Sequence, residues 1–330
     1  MSPSRSHILI SGGDATYYPM LLELVASVRR FPQGRDCPFG IVDAGLTTAQ
    51  RAHLEAIGCT VVTAEWHYDF PAGRIRDRGY LRANIAKLFL PDYFPGHEVL
   101  VWIDGDAWVQ DWEAVDLYIR AARRGRFGIV AQTGRYRQGE LTVKWLLGGI
   151  ARVRSILYKN GRRAGLPADI LRPLAVRATL NAGAYALRAD APHWAAFRKW
   201  QERVIHKGHI FTSDQLAMAL AVYVDGLPLE LLPDWCNYMG PWRFDPAADR
   251  LVEFFLPHRP LGIVHLAGLD RMRRDPACTL PVLDLEDRPH ELTLRYPEWE
   301  RRQAEVASVI ASGTVAAAVA ARAPAEPEPV

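Results

Sequence analysis

The residues best suited to chemistry in this chain are two carboxylates that follow an apolar run. Residues 99–103 lead directly into Asp104, Gly105 and Asp106. A short apolar run rich in β-branched residues is typical of a strand buried on both faces of a sheet. Because alternate residues of an extended chain point the same way, both carboxylates can face one divalent cation or phosphate group. A solvated turn after the strand explains the tripeptide as well, so it is not specific alone.

Further polar or glycine positions stand within or at the ends of other predicted elements. They are Asn181 and Gly183 in a strand at 180–187, Asp214 and Gln215 at the start of a helix, and His265 and Gly268 in a late strand. Polar and glycine positions inside a buried strand often mark close approach by a ligand. Each also has a structural explanation, since an acid caps a helix N-terminus and a lone histidine is commonly a core residue.

Strands and helices alternate along most of the chain. The pattern predicts strands at 7–14, 39–43, 59–63, 99–103, 127–131, 180–187 and 262–268, and helices at 18–30, 47–57, 80–90, 112–124, 193–206 and from 212. This alternation predicts an α/β fold with a mainly parallel sheet and helices on both faces. Lys87 lies on the helix before the carboxylate strand, and Pro91 is expected to end that helix. Gly12 and Gly13 after the first strand indicate either a phosphate cradle or a tight turn.

The remaining segments divide the chain into a large domain and a tail. Residues 1–295 are predicted to form the main domain, and its basic insertion at 134–178 is a candidate acceptor-binding region. Residues 296–330 are predicted to contain a helix at 298–322 and a disordered tail rich in alanine and proline.

Composition narrows the class of protein. The 330 residues are 49% hydrophobic and 23% charged, as in globular proteins, and the net charge of +3 is too small to predict nucleic acid as the main partner. Basic clusters at 74–78, 120–126 and 152–163 can serve anionic substrates or a membrane surface. Four separated cysteines fit a reducing compartment. No apolar signal region or membrane span is evident, so we expect a cytoplasmic protein with peripheral contact at the inner face of the membrane.

The order of these motifs resembles the retaining glycosyltransferases of family 8, the group of glycogenin and of bacterial lipopolysaccharide galactosyltransferases. An Asp-x-Asp strand end, an Asn-Ala-Gly strand, an Asp-Gln helix start and a His-x-x-Gly strand end follow one another, and the resemblance covers roughly residues 7–275. It implies a GT-A fold, with a Rossmann-like half for a nucleotide sugar and a more variable half for the acceptor. It also implies a hexosyltransferase that moves a hexose from a nucleotide sugar, expected to be a UDP-sugar, to an acceptor hydroxyl with retention.

The resemblance further implies a role for each motif residue. The implied ligands of Mn²⁺ or Mg²⁺ are Asp104, Asp106 and His265. The implied donor-binding residues are Asp14, Tyr17, Lys87, Asp104, Gly105, Gly183, Gly268 and Arg271. The residues implied around the reacting carbon are Asn181, Asp214 and Gln215. Two carboxylates and an imidazole do suit Mn²⁺. The chain departs from the family in having Lys87 in place of an arginine and Arg271 in place of a lysine, and it lacks the Pro-Trp that usually follows.

Two mechanisms and two other classes of protein remain open. Retention requires either a covalent intermediate or front-face attack, and front-face transfer is favoured because no second carboxylate is assignable. The acceptor is a saccharide, a glycolipid or a protein, with cell-envelope polysaccharide as one setting. A phosphohydrolase of the haloacid dehalogenase type also uses Asp-x-Asp, but near the start of its chain. A non-catalytic nucleotide-sugar-binding protein on the same fold is the other alternative.

Overall fold

The computed structural model describes residues 5–69, 72–75, 78–132, 142–147, 150–296 and 301. The strands are β1 (Arg5–Gly13), β2 (Phe39–Asp43), β3 (Cys59–Thr63), β4 (His97–Ile103), β5 (Ala107–Val109), β6 (Phe127–Ala131), β7 (Thr142–Leu147), β8 (Ile150–Arg154), β9 (Leu180–Arg188), β10 (Leu229–Leu232), β11 (Trp242–Asp245), β12 (Arg250–Glu253), β13 (Ile263–His265), β14 (Leu280–Asp284) and β15 (Pro289–Leu292). The α-helices are α1 (Tyr18–Arg29), α2 (Pro32–Arg35), α3 (Thr48–Ala56), α4 (Arg82–Ala86), α5 (Leu90–Tyr93), α6 (Trp112–Arg123), α7 (Ile156–Arg163), α8 (Ala168–Leu174), α9 (His193–Ile205), α10 (Ser213–Tyr223) and α11 (Asp270–Arg274).

The main sheet has seven strands in the order β10-β6-β9-β4-β1-β2-β3. The pairs β1–β2, β1–β4, β2–β3 and β6–β10 are parallel, whereas β9 runs antiparallel between β4 and β6. The predicted mixed, mainly parallel α/β sheet is therefore confirmed. Parallel strands place their carboxyl ends at one edge, which is where such sheets bind ligands.

Strand β4 is buried on both faces, as its apolar run predicts. Val99, Val101 and Ile103 pack in a core layer with residues of α1 and α6. Leu100 and Trp102 pack in the opposite layer with residues of α9 and α10. None of the five is more than 1% exposed, and burying each such side chain stabilises the fold by roughly 1.5–3 kcal/mol. This packing fixes the position at which the chain leaves the sheet, immediately before Asp104.

Besides the main sheet and the β7–β8 pair, the described residues form two smaller sheets. One has the order β12-β11-β14-β15, and the other pairs β13 with β5 in antiparallel fashion. In the second pair His265 lies opposite Ala107, the residue that follows the Asp-Gly-Asp turn. This register brings the histidine to the carboxylates across a large separation in sequence.

The sequence predicts one helix at 80–90, but the structure has three shorter helical elements in this region. The segment contains a 3-10 turn at Gly79–Leu81, then α4, and then the separate helix α5. Pro91 lies in the first turn of α5 and does not end the preceding helix, because its fixed φ and missing N–H suit that position.

The basic insertion and the C-terminal segment are described only in part. Within 134–178 the structure describes the antiparallel hairpin β7–β8 and the helices α7 and α8. The predicted C-terminal helix and tail lie outside the described residues, except for residue 301. Within the described ranges, no helix has the length and apolar composition needed to cross a bilayer.

Candidate active site

A cleft of about 630 Å³ opens at the carboxyl ends of β1 and β4. Most of the predicted site residues line it: Asp14, Tyr17, Lys87, Asp104, Gly105, Asp106, Asn181, Asp214, Gln215, His265 and Gly268. Gly183 and Arg271 are not among its lining residues. The motifs that are dispersed in sequence therefore converge on one cavity, and their individual contacts define what the cavity can do.

Asp104 is held by two donors on neighbouring elements. Its Oδ1 lies 2.7 Å from Lys87 Nζ and accepts a 2.7 Å hydrogen bond from the Trp102 indole. Its backbone N–H donates to the Gly183 carbonyl at 2.7 Å, which ties the turn to β9. A charge-assisted hydrogen bond of this length fixes the carboxylate in orientation.

Lys87 is a buried cation between two carboxylates. Its Nζ lies 2.7 Å from Asp104 and 3.4 Å from Asp214, and 5.1 Å from the centre of the Trp102 ring. Burial alone would lower the pKa of Lys87, but the two carboxylates outweigh it and raise that pKa. Burial raises the pKa of Asp214, with the Asp104 charge adding to the rise and Lys87 opposing it. Lys87 therefore stays charged, and Asp214 holds a proton more readily than an ordinary aspartate.

The start of α10 is strained where it enters the cleft. Thr212 is the N-cap residue with φ of +64°, an uncommon angle for a β-branched side chain. Its hydroxyl accepts a 3.4 Å hydrogen bond from Asn160 and makes no capping hydrogen bond to the helix. Asp214 is 2% exposed and Gln215 is half-buried, so the helix presents an acid and an amide side by side. Such strain, of order 1–3 kcal/mol, commonly occurs at functional sites.

Asp106 is paired with a guanidinium that sequence reasoning missed. Its Oδ2 accepts a 2.8 Å bond from Arg273, which also donates to the Tyr17 hydroxyl at 2.9 Å. Burial would raise the pKa of Asp106, but His265 and Arg273 together lower it well below its usual range. Asp106 is therefore an anion at any ordinary pH.

The cation of α11 in the cleft is Arg273 and not the predicted Arg271. Arg271 is exposed outside the cleft, whereas Arg273 lines it. Residues two apart in a helix project on nearly opposite sides, so only one of the two can face the site. The buried Met272 between them fixes which side that is. If residues 271–274 are taken as a helix, Arg271 and Arg273 cannot both face the cleft, and this could have been recognised from the sequence.

His265 completes a group of three candidate metal ligands. One ligand atom each from Asp104, Asp106 and His265 lies within 4.8 Å of the others. His265 Nε2 is 3.4 Å from Asp106, and its Nδ1 is 2.9 Å from the Asn237 amide oxygen. Burial would lower the pKa of His265, but the Asp106 carboxylate outweighs it and raises that pKa. Asn237, which sequence reasoning also missed, orients the ring so that Nε2 faces the carboxylates, as is usual for metal-binding histidines.

Asn181 and Gly183 support this group from β9. Asn181 Oδ1 accepts a 2.9 Å bond from the Gly183 N–H, and its Nδ2 lies 3.3 Å from Met239 Sδ. A Cβ at Gly183 would lie 2.3 Å from His265 Cε1, so only glycine leaves room for the ring. Gly183 therefore acts through His265 and does not face the cleft directly.

Gly183→Ala is expected to displace the imidazole and weaken Mn²⁺ binding about tenfold or more, as loss of a supporting contact typically does. Calorimetric titration of Mn²⁺ measures this directly. The matched control is Gly73→Ala, because a Cβ at that position meets no atom within 4 Å. Unchanged Mn²⁺ affinity in Gly183→Ala would show that the position of His265 does not matter to the metal.

The first strand ends in a turn stabilised by Asp14. Its Oδ1 accepts hydrogen bonds from the Thr16 N–H at 3.0 Å, from the Thr16 hydroxyl at 2.6 Å and from the Tyr17 N–H at 3.3 Å. A Cβ at Gly12 would lie 2.8 Å from the Val42 carbonyl oxygen and 3.0 Å from the Trp102 ring. Gly12 is therefore required by close packing within the sheet, and both glycines belong to β1 and pair with β2, so the tight turn follows them at Asp14.

Comparison with known proteins finds no matching family model and no matching curated protein. Solved structures that are similar include an active-site mutant of LgtC, with 16% identity over 79% of this chain and 87% of that one and a TM-score of 0.48. LgtC in complex with donor and acceptor sugar analogues has 15% identity, covers the same shares and has a TM-score of 0.45. The bifunctional glycosyltransferase WbbM has 13% identity, over 81% of this chain and 47% of that one, with a TM-score of 0.49.

Proposed function

We propose that this protein is a metal-dependent glycosyltransferase of the family 8 type, which transfers a hexose from a UDP-sugar to an acceptor hydroxyl with retention. The observation that carries the proposal is the convergence of Asp104, Asp106 and His265 within 4.8 Å in a cleft that also holds Lys87 and Arg273. A cleft with three metal ligands and two cations suits a ligand with several negative charges, such as a nucleotide diphosphate.

The donor set fits Mn²⁺, because two carboxylates and an imidazole provide mixed oxygen and nitrogen ligands. When bound there, the ion would supply Lewis acidity toward the diphosphate oxygens. Lys87 and Arg273 add positive charge that is already oriented by Asp104 and Asp106 before the donor arrives. Charge that needs no rearrangement stabilises a leaving group more effectively than charge that must be recruited.

The transfer breaks the bond between the sugar C1 and the diphosphate oxygen and forms a bond between C1 and the acceptor oxygen. The acceptor proton passes to the leaving phosphate oxygen, so no protein base is consumed. Asp214 is a poor nucleophile because its side chain is buried and its carboxylate is paired with Lys87. This favours front-face attack, with Asn181 and Gln215 holding the sugar by hydrogen bonds.

A panel of nucleotide sugars incubated with the protein and Mn²⁺ tests the proposed function. We expect slow release of the nucleoside diphosphate from a UDP-sugar, with water taking the sugar when no other acceptor is present, and little release when Mn²⁺ is omitted. Binding of none of the donors would contradict the proposal. Release of phosphate from simple phosphomonoesters would instead support the phosphohydrolase alternative, and donor binding without turnover would support a binding protein.

Arg273→Gln is expected to weaken binding of UDP in the presence of Mn²⁺ by about tenfold or more, since a hydrogen bond to a charged group contributes roughly 1.5–3 kcal/mol. Arg271→Gln is the matched control, two residues away on the same helix but exposed, and its UDP affinity should equal that of the wild type. Calorimetric titration of both variants distinguishes the two arginines. A larger loss of UDP affinity in Arg271→Gln would instead support Arg271 as the donor-binding arginine, as the sequence analysis implies.

A further inference from the structure

A second cavity shares one lining residue, Phe211, with the cleft. It has a volume of about 190 Å³ and is lined by Arg74, Arg78, Gly208, His209, Ile210 and Phe211. Phe211 lines both cavities and is 59% exposed. A water molecule occupies about 30 Å³, so this cavity has room for a phosphate or carboxylate group.

Both guanidinium groups of this cavity donate hydrogen bonds to backbone carbonyls. Arg74 donates to the carbonyls of Ile205, His206 and Gly208, and Arg78 donates to the Arg74 carbonyl at 2.7 Å. Carbonyl oxygens orient a guanidinium but carry no net charge to neutralise it. Within the described ranges, these contacts therefore hold Arg74 in place without neutralising the positive charge of either side chain.

The pKa of His209 is affected by this positive potential. Burial lowers the pKa of His209, and four neighbouring cations lower it further: Arg163, Arg74, Arg78 and Lys159. Two arginines thus line the cavity, and two further cations, Arg163 and Lys159, lie near enough to His209 to act on it. A cavity with this surplus of one charge sign concentrates ligands of the opposite sign.

We propose that the acceptor is a saccharide that carries an oxyanion, and that this group binds between Arg74 and Arg78 while the sugar ring extends along Phe211 into the cleft. The proposal rests on the proposed function, since it assigns the second substrate of that site. Guanidinium groups bind phosphate and carboxylate by paired hydrogen bonds, which gives geometric specificity. Tyr80, which lines the cleft and is 42% exposed, provides a further aromatic surface for the ring.

The test compares neutral and anionic sugars by calorimetric titration with UDP and Mn²⁺ present. The probes are glucose, glucose 6-phosphate, galactose, galactose 6-phosphate, glucuronic acid and inorganic phosphate. At least one anionic sugar should bind about tenfold more tightly than its neutral parent, as expected for a charge-assisted contact. Arg78→Gln should abolish that preference. Arg78 is chosen over Arg74 because Arg74 also secures the carbonyls at 205–208.

The matched control is Arg172→Gln, an exposed arginine of α8 that lines neither cavity and should leave the preference unchanged. Equal affinity for the neutral and anionic sugars would overturn the proposal. So would a preference that survives in Arg78→Gln, or inorganic phosphate binding as tightly as the sugar phosphates. Binding of UDP with Mn²⁺ is measured in the same titrations, so failure of the donor site is distinguished from failure of the acceptor assignment.

Discussion

Replacing Asp106 by asparagine is expected to reduce metal-dependent turnover of the nucleotide sugar by about a thousandfold, which corresponds to the several kcal/mol that a catalytic metal contributes. The substitution preserves shape and removes the negative charge. In the wild type this charge lies 3.4 Å from His265 Nε2 and 2.8 Å from Arg273. Without it the cluster retains one carboxylate, so affinity for Mn²⁺ should fall together with turnover.

Thermal unfolding separates loss of function from loss of folding in this experiment. The pKa of His265 is raised mainly by Asp106, so without that carboxylate the imidazole is expected to stay neutral and limit the cost of burying it. Asp275→Asn is the matched control, because Asp275 is exposed immediately after α11 and outside the cleft. If Asp106→Asn retained metal-dependent turnover, the cation would have to bind elsewhere.

Breaking the buried ion pair between Glu23 and Arg295 should reduce the free energy of unfolding by about 3–5 kcal/mol. Glu23 belongs to α1 and is 9% exposed, and Arg295 is 3% exposed. The Arg295 Nε donates a 2.8 Å hydrogen bond to Glu23 Oε2. The Arg295 Nη1 donates hydrogen bonds of 3.1 Å to the carbonyls of Met272 and Arg273. Glu23→Leu or Arg295→Met leaves one buried charge without its partner, and this is the source of the expected loss.

The double variant provides the control for this prediction. Glu23→Leu combined with Arg295→Met removes both charges and fills the space with apolar atoms, which is often close to neutral for stability. Denaturant unfolding of the single and double variants forms a thermodynamic cycle. Additive losses would show that the pair is not coupled. The single variants should also bind UDP more weakly, because Arg295 holds the backbone of the segment that carries Arg273.

Local pattern was sufficient to predict three short strands of the main sheet. The bounds of β2, β3 and β6 agree with the sequence-based ranges, since short apolar runs between turns leave little choice of structure. The prediction of a single helix at 80–90 was wrong, because Pro91 can stand either after the end of a helix or in the first turn of the next one. The four-stranded sheet β12-β11-β14-β15 was not predicted, since its strands are short and only partly apolar.

The site was predictable in its residue types but not in its pairings. Asp104, Asp106 and His265 could be named from their order in the chain, and they do converge. The contact of Lys87 with Asp214, the support of His265 by Asn237 and the choice of Arg273 depend on long-range packing. Such contacts follow from the register of β13 on β5 and the rotation of α11, which no local pattern specifies.

The pairing of β13 with β5 also determines the stage of folding at which the candidate site is completed. Ala107 and His265, which pair directly, are 158 positions apart in the sequence. Closing a loop of that length costs about 4–5 kcal/mol of chain entropy, which many other contacts must offset before the pairing becomes favourable. Contacts at such separation form slowly. A partly folded chain that has assembled only β1 to β4 would carry both carboxylates at the edge of its sheet and still lack the histidine.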